Sequence, residues 1–289
     1  MTPAPGSLVL VGTPIGNLGD LSPRARDCLA EADVICCEDT RHTRKLLTHA
    51  GISGVALLAL HEHNEAEMAG RVVAQVAGGA TVALVTDAGM PGVSDPGERV
   101  VAAATAAGLT VTVIPGPSAA LAALVGSGLP GGRFCFEGFL PRKGRERGER
   151  LAEIAVETRT VVIFEAPHRV ARTLDDLHQV CGPDRLVAVA RELTKRHEER
   201  WQGTLAAAIQ WVQRTPPKGE WVLVLAGAAP PVLDVDDAAL LEALGRRVAA
   251  GDDRRAAVAA VAAALKVPKR RVYQLSLELR DRPAPGPGS

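Results

Sequence analysis

A short polar segment, residues 86–97, carries the side chains of this sequence that are best placed to meet a ligand. It contains Asp87, Ser94 and Asp95 among three glycines, and it follows Ala80 to Val85, an apolar run that predicts a buried strand. Glycines let a bound molecule approach the backbone without meeting side chains. Because ligands of open α/β sheets bind beyond the carboxyl ends of the strands, we expect a binding site at this loop.

An ordinary connection between a strand and a helix is the alternative for the same segment. Glycine and proline are typical of turns, and Asp95 followed by Pro96 predicts the N-cap and first residue of a helix that runs to about Ala107. Capping needs only one of the polar side chains, so this alternative leaves Asp87 and Ser94 unexplained.

Other charged side chains follow a predicted strand in the same way. Glu38, Asp39 and Arg41 stand directly after the second strand, which is predicted at Asp33 to Cys37. Clustered acidic and basic groups at this edge are expected to face the crevice. A capping box or a surface ion pair is the alternative.

The second half of the chain also places charge directly beside buried strands, at 138–144, 164–169, 190–199 and 217–224. The first of these stretches opens a basic, glycine-containing loop that suits phosphate contacts, with a solvated loop as the alternative. The basic residues of this loop are Arg142, Lys143, Arg145 and Arg147.

The elements that hold these residues follow from the hydrophobic pattern. Five strands alternating with four helices before residue 115 predict a parallel sheet with helices on both faces. Later strands have fewer helices between them, and those at 185–192 and 198–203 are too close for a crossover helix, so they are antiparallel. The predicted fold class is α/β, with a parallel-sheet domain at 1–116 and a mixed-sheet domain at 117–229.

A small helical domain is predicted at 230–282, followed by a disordered, Pro/Gly-rich tail at 283–289. Between Arg246 and Arg282 there are ten Lys or Arg residues against four Asp or Glu. The last two helices join as in a helix-turn-helix, and Lys269, Arg270 and Arg271 at that joint predict a surface that faces nucleic acid. The solvated face of an alanine-rich bundle is the alternative.

Composition limits the class of protein. The formal net charge of the 289 residues is zero, so no overall attraction to polyanions is implied. Five cysteines without a CxxC pair, together with no signal peptide and no apolar run of membrane length, predict a cytoplasmic protein with reduced thiols. The glycine-rich segment after the first strand matches neither GxGxxG nor a Walker P-loop, which disfavours a common nucleotide site.

Six motifs occur in an order that resembles the tetrapyrrole (corrin/porphyrin) methylase superfamily, and within it the members that methylate ribosomal RNA. The resemblance extends from about Leu8 to Leu225. Its motifs are Val11 to Leu18, Glu38 to Arg41, Thr86 to Pro91, Ser94 to Gly97, Pro115 to Ser118 and Lys218 to Glu220.

The resemblance implies an enzyme that uses S-adenosylmethionine to methylate the 2′-hydroxyl of a cytidine in the decoding region of 16S rRNA, within the assembled small subunit. It also implies a homodimer whose cofactor lies folded between two α/β domains. Tetrapyrrole-methylating relatives have a Gly-Asp-Pro type sequence in the central loop, whereas this chain has Asp87 to Pro91, so only the position and backbone role of the loop are carried over. The implied cofactor contacts are Pro14, Ile15, Asp87, Ala88, Gly89, Gly92, Val93, Ser94, Ser118, Ala119, Phe164, Glu165, Ala190 and Gly219.

Methylation of a ribose hydroxyl needs alignment of oxygen, carbon and sulfur, and a group that accepts the hydroxyl proton. The carboxylates that end strands at the expected cleft are the candidate bases, namely Glu38, Asp39, Glu165 and Glu192. The candidate RNA contacts are Arg41, Arg142, Lys143, Lys195, Lys269, Arg270 and Arg271. The chemistry calls for no metal.

Two rival functions remain at this stage. One is a methylase of the same fold that acts on a tetrapyrrole or on a diphthamide precursor, against which the basic tail and basic loop argue. The other is a non-catalytic RNA-binding assembly factor that retains the fold.

Overall fold

The computed structural model of the chain describes residues 6–229, 235–265 and 267–278. Two compact units, Met1–Ala228 and Ala229–Ser289, divide the chain. The first unit contains two sheets, and the second unit contains helices. The predicted boundary at 116/117, between the two sheets, stays a prediction, and the predicted tail at 283–289 lies outside the described residues.

The first sheet is parallel throughout, as the alternation of strands and helices predicts. Its strand order is β3-β2-β4-β1-β5. The strands are β1 (Ser7–Val11), β2 (Val34–Cys37), β3 (Ala56–Ala59), β4 (Val82–Leu84) and β5 (Thr110–Ile114). The helices of this half are α1 (Pro23–Glu31), α2 (Thr40–His49), α3 (Glu65–Ala77), α4 (Glu98–Ala106) and α5 (Ala119–Gly126).

Both faces of the parallel sheet are covered because successive side chains of a strand point to opposite faces. On β1, Val9 and Val11 pack in one cluster with residues of α1 and α2. Leu8 and Leu10 pack in another cluster with residues of α3 and α4. Both faces of the sheet are therefore buried, and a ligand is expected at the edge formed by the carboxyl ends of the strands.

The second sheet is mixed, as predicted. Its order is β6-β7-β10-β8-β9, with β6 and β7 parallel and the other neighbours antiparallel. The strands are β6 (Phe134–Phe139), β7 (Thr160–Glu165), β8 (Leu186–Arg191), β9 (Glu199–Thr204) and β10 (Trp221–Leu225), and the helices are α6 (Arg145–Val156), α7 (Val170–Cys181) and α8 (Leu205–Gln213). Helix α5 packs on this sheet, since Ala120, Ala123 and Leu124 share a cluster with residues of β7, β8 and β10.

The C-terminal unit is a bundle of α9 (Asp237–Ala249), α10 (Arg254–Ala264) and α11 (Lys269–Glu278). Asp236 and Asp253 cap the first two helices through their side chains. A small core that includes Leu240, Val261 and Val272 holds the three helices together. Within the ranges that the structure describes, none of the helices combines the length and apolar character needed to cross a membrane.

Candidate active site

Three loops meet at the carboxyl edge of the parallel sheet, after β1, β4 and β5. Thr13 and Gly89 exchange backbone hydrogen bonds of 2.8 and 3.2 Å, and the Thr13 hydroxyl donates to the carbonyl of Thr86 at 3.1 Å. The backbones of Gly12 and Gly116 approach so closely that a Cβ on Gly12 would lie 2.6 Å from Gly116 Cα. The three loops therefore form one wall, at the edge where the sequence predicts a site.

Gly89 keeps a space open between these loops. Its φ is +88°, and a Cβ built on it would contact Ile15 Cγ2 and the carbonyl oxygen of Pro117, each at 3.5 Å. A side chain here would thus be strained and would project between the loops after β1 and β5. Gly89 itself is buried, so the gap beside it is narrow.

The start of α4 differs from the prediction. Asp95 is not the N-cap, because α4 begins at Glu98 and the cap position is Gly97, with a φ of +139°. The carboxylate of Glu65 in α3, itself buried, accepts hydrogen bonds from the backbone N–H groups of Gly97 and Arg99 at 2.8 and 2.9 Å. Since Glu65 satisfies these N–H groups across the fold, α4 does not use the Asp95 carboxylate.

Asp95 instead belongs to an acidic group with Glu38 and Asp87. Burial, followed by the charge of Glu38, raises the pKa of Asp95 to about 6. Burial, followed by the charge of Asp87, raises the pKa of Glu38. Asp87 accepts a hydrogen bond from the backbone N–H of Asp39 at 3.2 Å, which links the ends of β2 and β4. These carboxylates are close enough to oppose one another's ionisation.

The hydroxyl of Thr86 lies among these carboxylates. Thr86 is only 3% exposed, and its Oγ1 makes no hydrogen bond of standard geometry within the described part of the chain. It is nevertheless near enough to Glu38 and Asp95 to moderate the pKa of each. The acidic group therefore surrounds a buried polar atom with unused hydrogen-bonding capacity.

Asp39 caps the start of α2, and Arg41 in the first turn pairs with it. The Asp39 carboxylate accepts a bond from the backbone N–H of Arg41 at 2.7 Å and pairs with Arg41 Nη2 at 3.0 Å. The hydrogen bond from the Arg41 side chain is the main reason that the pKa of Asp39 falls to about 2. These contacts fit the capping and ion-pair alternative better than catalysis by Asp39.

Glu165 is enclosed in a polar network of the second sheet. Its side chain has no exposed surface, and it accepts from the Thr173 hydroxyl at 2.6 Å and from the Ala166 N–H at 2.9 Å. It also pairs with Arg169 Nε at 3.2 Å. This environment favours a structural role for Glu165 over contact with a substrate or cofactor.

The same network corrects the prediction for the basic loop. Arg147 is 4% exposed and binds Asp176 at 2.7 Å, the carbonyl of Pro141 and the Thr173 hydroxyl, so it is not available to a phosphate. Arg145 forms an exposed ion pair with Glu149 within its own helix. Arg142 and Lys143 are exposed and make no ion pair with any described residue.

A loop of the second sheet, residues 192–195, packs on the loop after β1. A Cβ on Gly16 would lie 2.5 Å from Lys195 Cγ, and Glu192 and Thr194 have φ values of +53° and +66°. Lys195 Nζ bridges Glu192 at 2.9 Å and Glu220 at 3.1 Å. Burial alone would raise the pKa of Glu192, but the bonds from Lys195 and the Glu220 N–H lower it overall.

Contacts between the two sheets close the other side of the cleft. A Cβ on Gly138 would lie 2.8 Å from Ser94 Oγ, and Ser94 has a φ of +63°. Ile15 and Ala190 are buried in one apolar cluster, against which Ala119 and Phe164 pack. The structure thus gathers these four predicted cofactor contacts, while the hydroxyl of Ser118 caps α5 by accepting from Leu121 N.

The other predicted residues lie at the rim of the cleft or in the second unit. Pro14 is buried and Ala88 half-buried, whereas Gly92 and Val93 are exposed and Gly219 packs on the Glu192 side chain. In the C-terminal unit, Lys269 and Arg270 are exposed. Arg271 instead pairs with Asp237 at 2.7 Å and donates to the carbonyl of Val235.

The group that sequence reasoning missed is Asp95. Its signal was present, because the segment holds more acidic side chains than one helix cap needs. Its assignment as the cap failed because Glu65, distant in sequence, takes that role. Across the described ranges, no three His, Cys, Asp or Glu side chains form a group that could hold a metal ion.

Comparison with known proteins identifies the family. Residues 7–209 match the family described as Tetrapyrrole (Corrin/Porphyrin) Methylases. The chain is 47% identical over 277 residues to a Synechocystis sp. protein named "Ribosomal RNA small subunit methyltransferase I", covering 95% of this chain and 98% of the relative. A protein of the same name from Xylella fastidiosa (strain Temecula1) is 52% identical over 246 residues, covering 84% and 88% of the two chains.

Among solved structures, the methyltransferase CobJ shares the fold with a TM-score of 0.58 and 24% identity, covering 77% of this chain and 94% of that chain. The resemblance inferred from the motifs and the predicted fold class are both confirmed. The chain belongs to the tetrapyrrole methylase family and, within it, to the group of relatives named ribosomal RNA small subunit methyltransferase I.

Proposed function

We propose that this protein transfers the methyl group of S-adenosylmethionine to ribosomal RNA of the small subunit. The observation that carries the proposal is the identity of 47% over 95% of the chain to a relative with that named activity. The finer part of the proposal is the target, the 2′-hydroxyl of a cytidine in the decoding region of 16S rRNA. The proposal also includes a homodimer in the cytoplasm, as the family resemblance implies.

Two features of the first unit support a cofactor site in this cleft. Gly89 leaves a space between the loops after β1 and β5, and the cluster of Ile15, Ala119, Phe164 and Ala190 gives that space an apolar side. Sites for small molecules typically combine such an apolar lining with a few polar groups. When bound, S-adenosylmethionine supplies a methyl group that its sulfonium centre has already activated.

The residues proposed to hold the cofactor act mainly through backbone and shape. Ile15 borders the gap at Gly89, Ser94 contacts Gly138 of the second sheet, and Asp87 adds a carboxylate after β4. The full proposed set is Pro14, Ile15, Asp87, Ala88, Gly89, Gly92, Val93, Ser94, Ser118, Ala119, Phe164, Ala190 and Gly219. By fixing the donor against the acceptor hydroxyl, they would lower the entropic part of the barrier.

The contacts of the carboxylates narrow the choice of base. Asp39 is paired with Arg41, Glu165 is buried in its network, and Glu192 is bound to Lys195. A base works best when its pKa lies near the working pH, and pairing with cations moves a carboxylate away from that condition. Glu38, whose pKa is raised, is the member of the predicted set that best meets it.

Contacts with RNA are assigned to exposed cations without acidic partners. Among the predicted contacts these are Arg142 and Lys143 in the first unit, and Lys269 and Arg270 in the second unit. Arg41, Lys195 and Arg271 are engaged in ion pairs, so they would have to exchange an acidic partner for a phosphate. We therefore rank them below the exposed cations.

The experiment is methyl transfer from labelled S-adenosylmethionine to small ribosomal subunits that lack the modification. We expect label in the 16S rRNA, at a cytidine whose ribose then resists alkaline cleavage. Naked 16S rRNA, a uroporphyrinogen and a diphthamide-precursor protein are the comparison substrates. Label in either of the last two alone would favour a rival methylase, and absent cofactor binding by calorimetry would favour a non-catalytic assembly factor.

A further inference from the structure

Asp95 is not needed by the secondary structure around it. Glu65 satisfies the N–H groups of Gly97 and Arg99 at the start of α4. Among residues 6–229, no cation forms an ion pair with the Asp95 carboxylate. A half-buried acid without these roles is costly to keep ionised, so its presence calls for another explanation.

Asp95 lies next to the place where the loop after β4 meets the second sheet. Its neighbour Ser94 has a φ of +63° and contacts Gly138 of the second sheet, so Asp95 lies beside the junction of the two sheets. Strained backbone of this kind persists where the surrounding contacts require it. Beside it, the buried Thr86 hydroxyl has no partner of standard geometry in the described residues and faces the acidic group.

Acidic side chains surround Asp95. The charged groups that most affect its pKa come from several elements and are acidic: Glu38 after β2, Asp87 after β4 and Glu220 before β10, the last paired with Lys195. Glu38 in turn faces Asp39, Asp87 and His61. A carboxylate among like charges binds a proton more readily.

We infer that Asp95 is the general base of the methyl transfer and accepts the proton of the nucleophilic ribose hydroxyl. This inference rests on the proposed function. As the oxygen–carbon bond forms and the carbon–sulfur bond breaks, the electron pair of the latter stays on sulfur and the hydroxyl proton passes to the Asp95 carboxylate. A cation and an anion are thus replaced by two neutral groups, and the proton later leaves for solvent.

Glu38 acts as a positioning residue in this scheme. Its charge is the largest contribution from a neighbouring group to the proton affinity of Asp95. Neutralising Glu38 is therefore expected to shift the acid limb of the pH–rate profile to lower pH, whereas neutralising Asp95 removes that limb.

The test is single-turnover methyl transfer to unmodified small subunits between pH 5 and 9. For the wild-type protein we expect the rate to rise about tenfold per pH unit at low pH and to level off above about pH 6. Asp95→Asn should lower the plateau rate about 10²- to 10⁴-fold and abolish the rise, and Asp95→Glu should recover at least tenfold over Asp95→Asn.

Binding and titration separate a base from a structural residue. Calorimetry should give S-adenosylmethionine affinities of wild type and Asp95→Asn within threefold. A difference titration of the two proteins without cofactor should show one group that titrates near pH 6. The matched control is Glu98→Gln, an exposed carboxylate at the start of α4, whose rate should stay within twofold of wild type.

The inference is overturned if Asp95→Asn retains a rate within threefold of wild type, or if Glu38→Gln rather than Asp95→Asn removes the pH dependence. It is also overturned if the difference titration places the group near pH 4. A wild-type protein that labels no small subunit overturns the proposed function itself, which is a different result from an active wild type with an unaffected variant.

Discussion

The two sides of the cleft treat their carboxylates in opposite ways. On the second-sheet side, Glu192 and Glu220 share Lys195, and Glu165 is bound by Thr173 and Arg169. On the parallel-sheet side, Glu38, Asp87 and Asp95 form no ion pair with a described residue, and the pKa values of Glu38 and Asp95 are raised. The comparison teaches that compensated charge holds the cleft together, whereas uncompensated charge is kept for chemistry.

The largest expected effect on stability concerns Glu165, on the second-sheet side of the cleft. Glu165→Ala removes a carboxylate with no exposed surface and leaves Arg169 and Thr173 without their acceptor, so we expect a loss of about 3 kcal/mol in the free energy of unfolding. Urea denaturation measures it. Glu149→Ala, which breaks the exposed pair with Arg145, is the control and should cost less than about 0.5 kcal/mol. Equal effects of the two would contradict a structural role for Glu165.

The next prediction is a gain in the free energy of unfolding, and it concerns Asp95 on the parallel-sheet side of the cleft. The pKa of Asp95 is raised from 3.8 to about 6, so the folded protein holds this proton more tightly than the unfolded chain. Stability therefore falls as pH rises from about 4 to 6, and the full cost is present above pH 6. Allowing for partial exposure, Asp95→Asn should stabilise the fold by about 1–2 kcal/mol at pH 8.

The same variant should show much less stabilisation at pH 4, where Asp95 is protonated in the folded protein and the unfolded chain is close to its own pKa of 3.8. Thermal unfolding at the two pH values measures the difference. Stabilisation that is equal at pH 4 and pH 8 would show that the charge of Asp95 is not the cause. The variant would then be stabilised through packing or hydrogen bonding instead.

The gap beside Gly89 allows a test of where the cofactor binds. Gly89→Ala places a methyl group between Ile15 and Pro117, and we expect the affinity for S-adenosylmethionine to fall about tenfold or more, equivalent to about 1.4 kcal/mol. Gly108→Ala is the matched control, since Gly108 also has a positive φ, +68°, but has no atom within 4 Å of an added Cβ. Calorimetry on both variants separates backbone strain from blocked binding, and equal losses would argue against the space as the cofactor site.

The smallest effect concerns the shared lysine. Lys195→Met leaves Glu192 and Glu220 without their cation and should cost about 1 kcal/mol at pH 8. Because the pKa of Glu192 is lowered below 4.5 in the folded protein, its contribution is present above that pH and disappears as pH falls through the lowered value. Unfolding at pH 8 and pH 3 should therefore differ, and a pH-independent loss would indicate packing instead.

Local pattern explains why much of the fold could be predicted from the sequence. The apolar runs predicted as strands at Ala80 to Val85 and at Asp33 to Cys37 are signals carried by neighbouring residues, and the structure has β4 and β2 within them. The binding site at the carboxyl edge of the parallel sheet stays a prediction, which rests on the general position of ligands in open α/β sheets.

The chemistry of individual side chains could not be predicted in the same way. Glu65 accepts a hydrogen bond from the N–H of a helix cap, Gly97, that lies 32 residues later in the chain. Arg147 is buried by contacts with Asp176 and Thr173 from another helix. Such partners are set by tertiary packing and leave no local pattern in the sequence. The assignment of Asp95 as the N-cap is therefore wrong, because its basis was local and the real partner of the helix start is distant in sequence.

The capping of α4 by a residue of α3 has a consequence for how this loop could change. Most loops that precede a helix must supply their own cap, which limits the side chains they can carry. Here the segment from Thr86 to Pro96 is relieved of that duty, because Glu65 performs it from elsewhere in the fold. Position 95 can thus be exchanged for other functional groups while the helix behind it stays in place, which makes it a natural point at which to engineer a different acceptor.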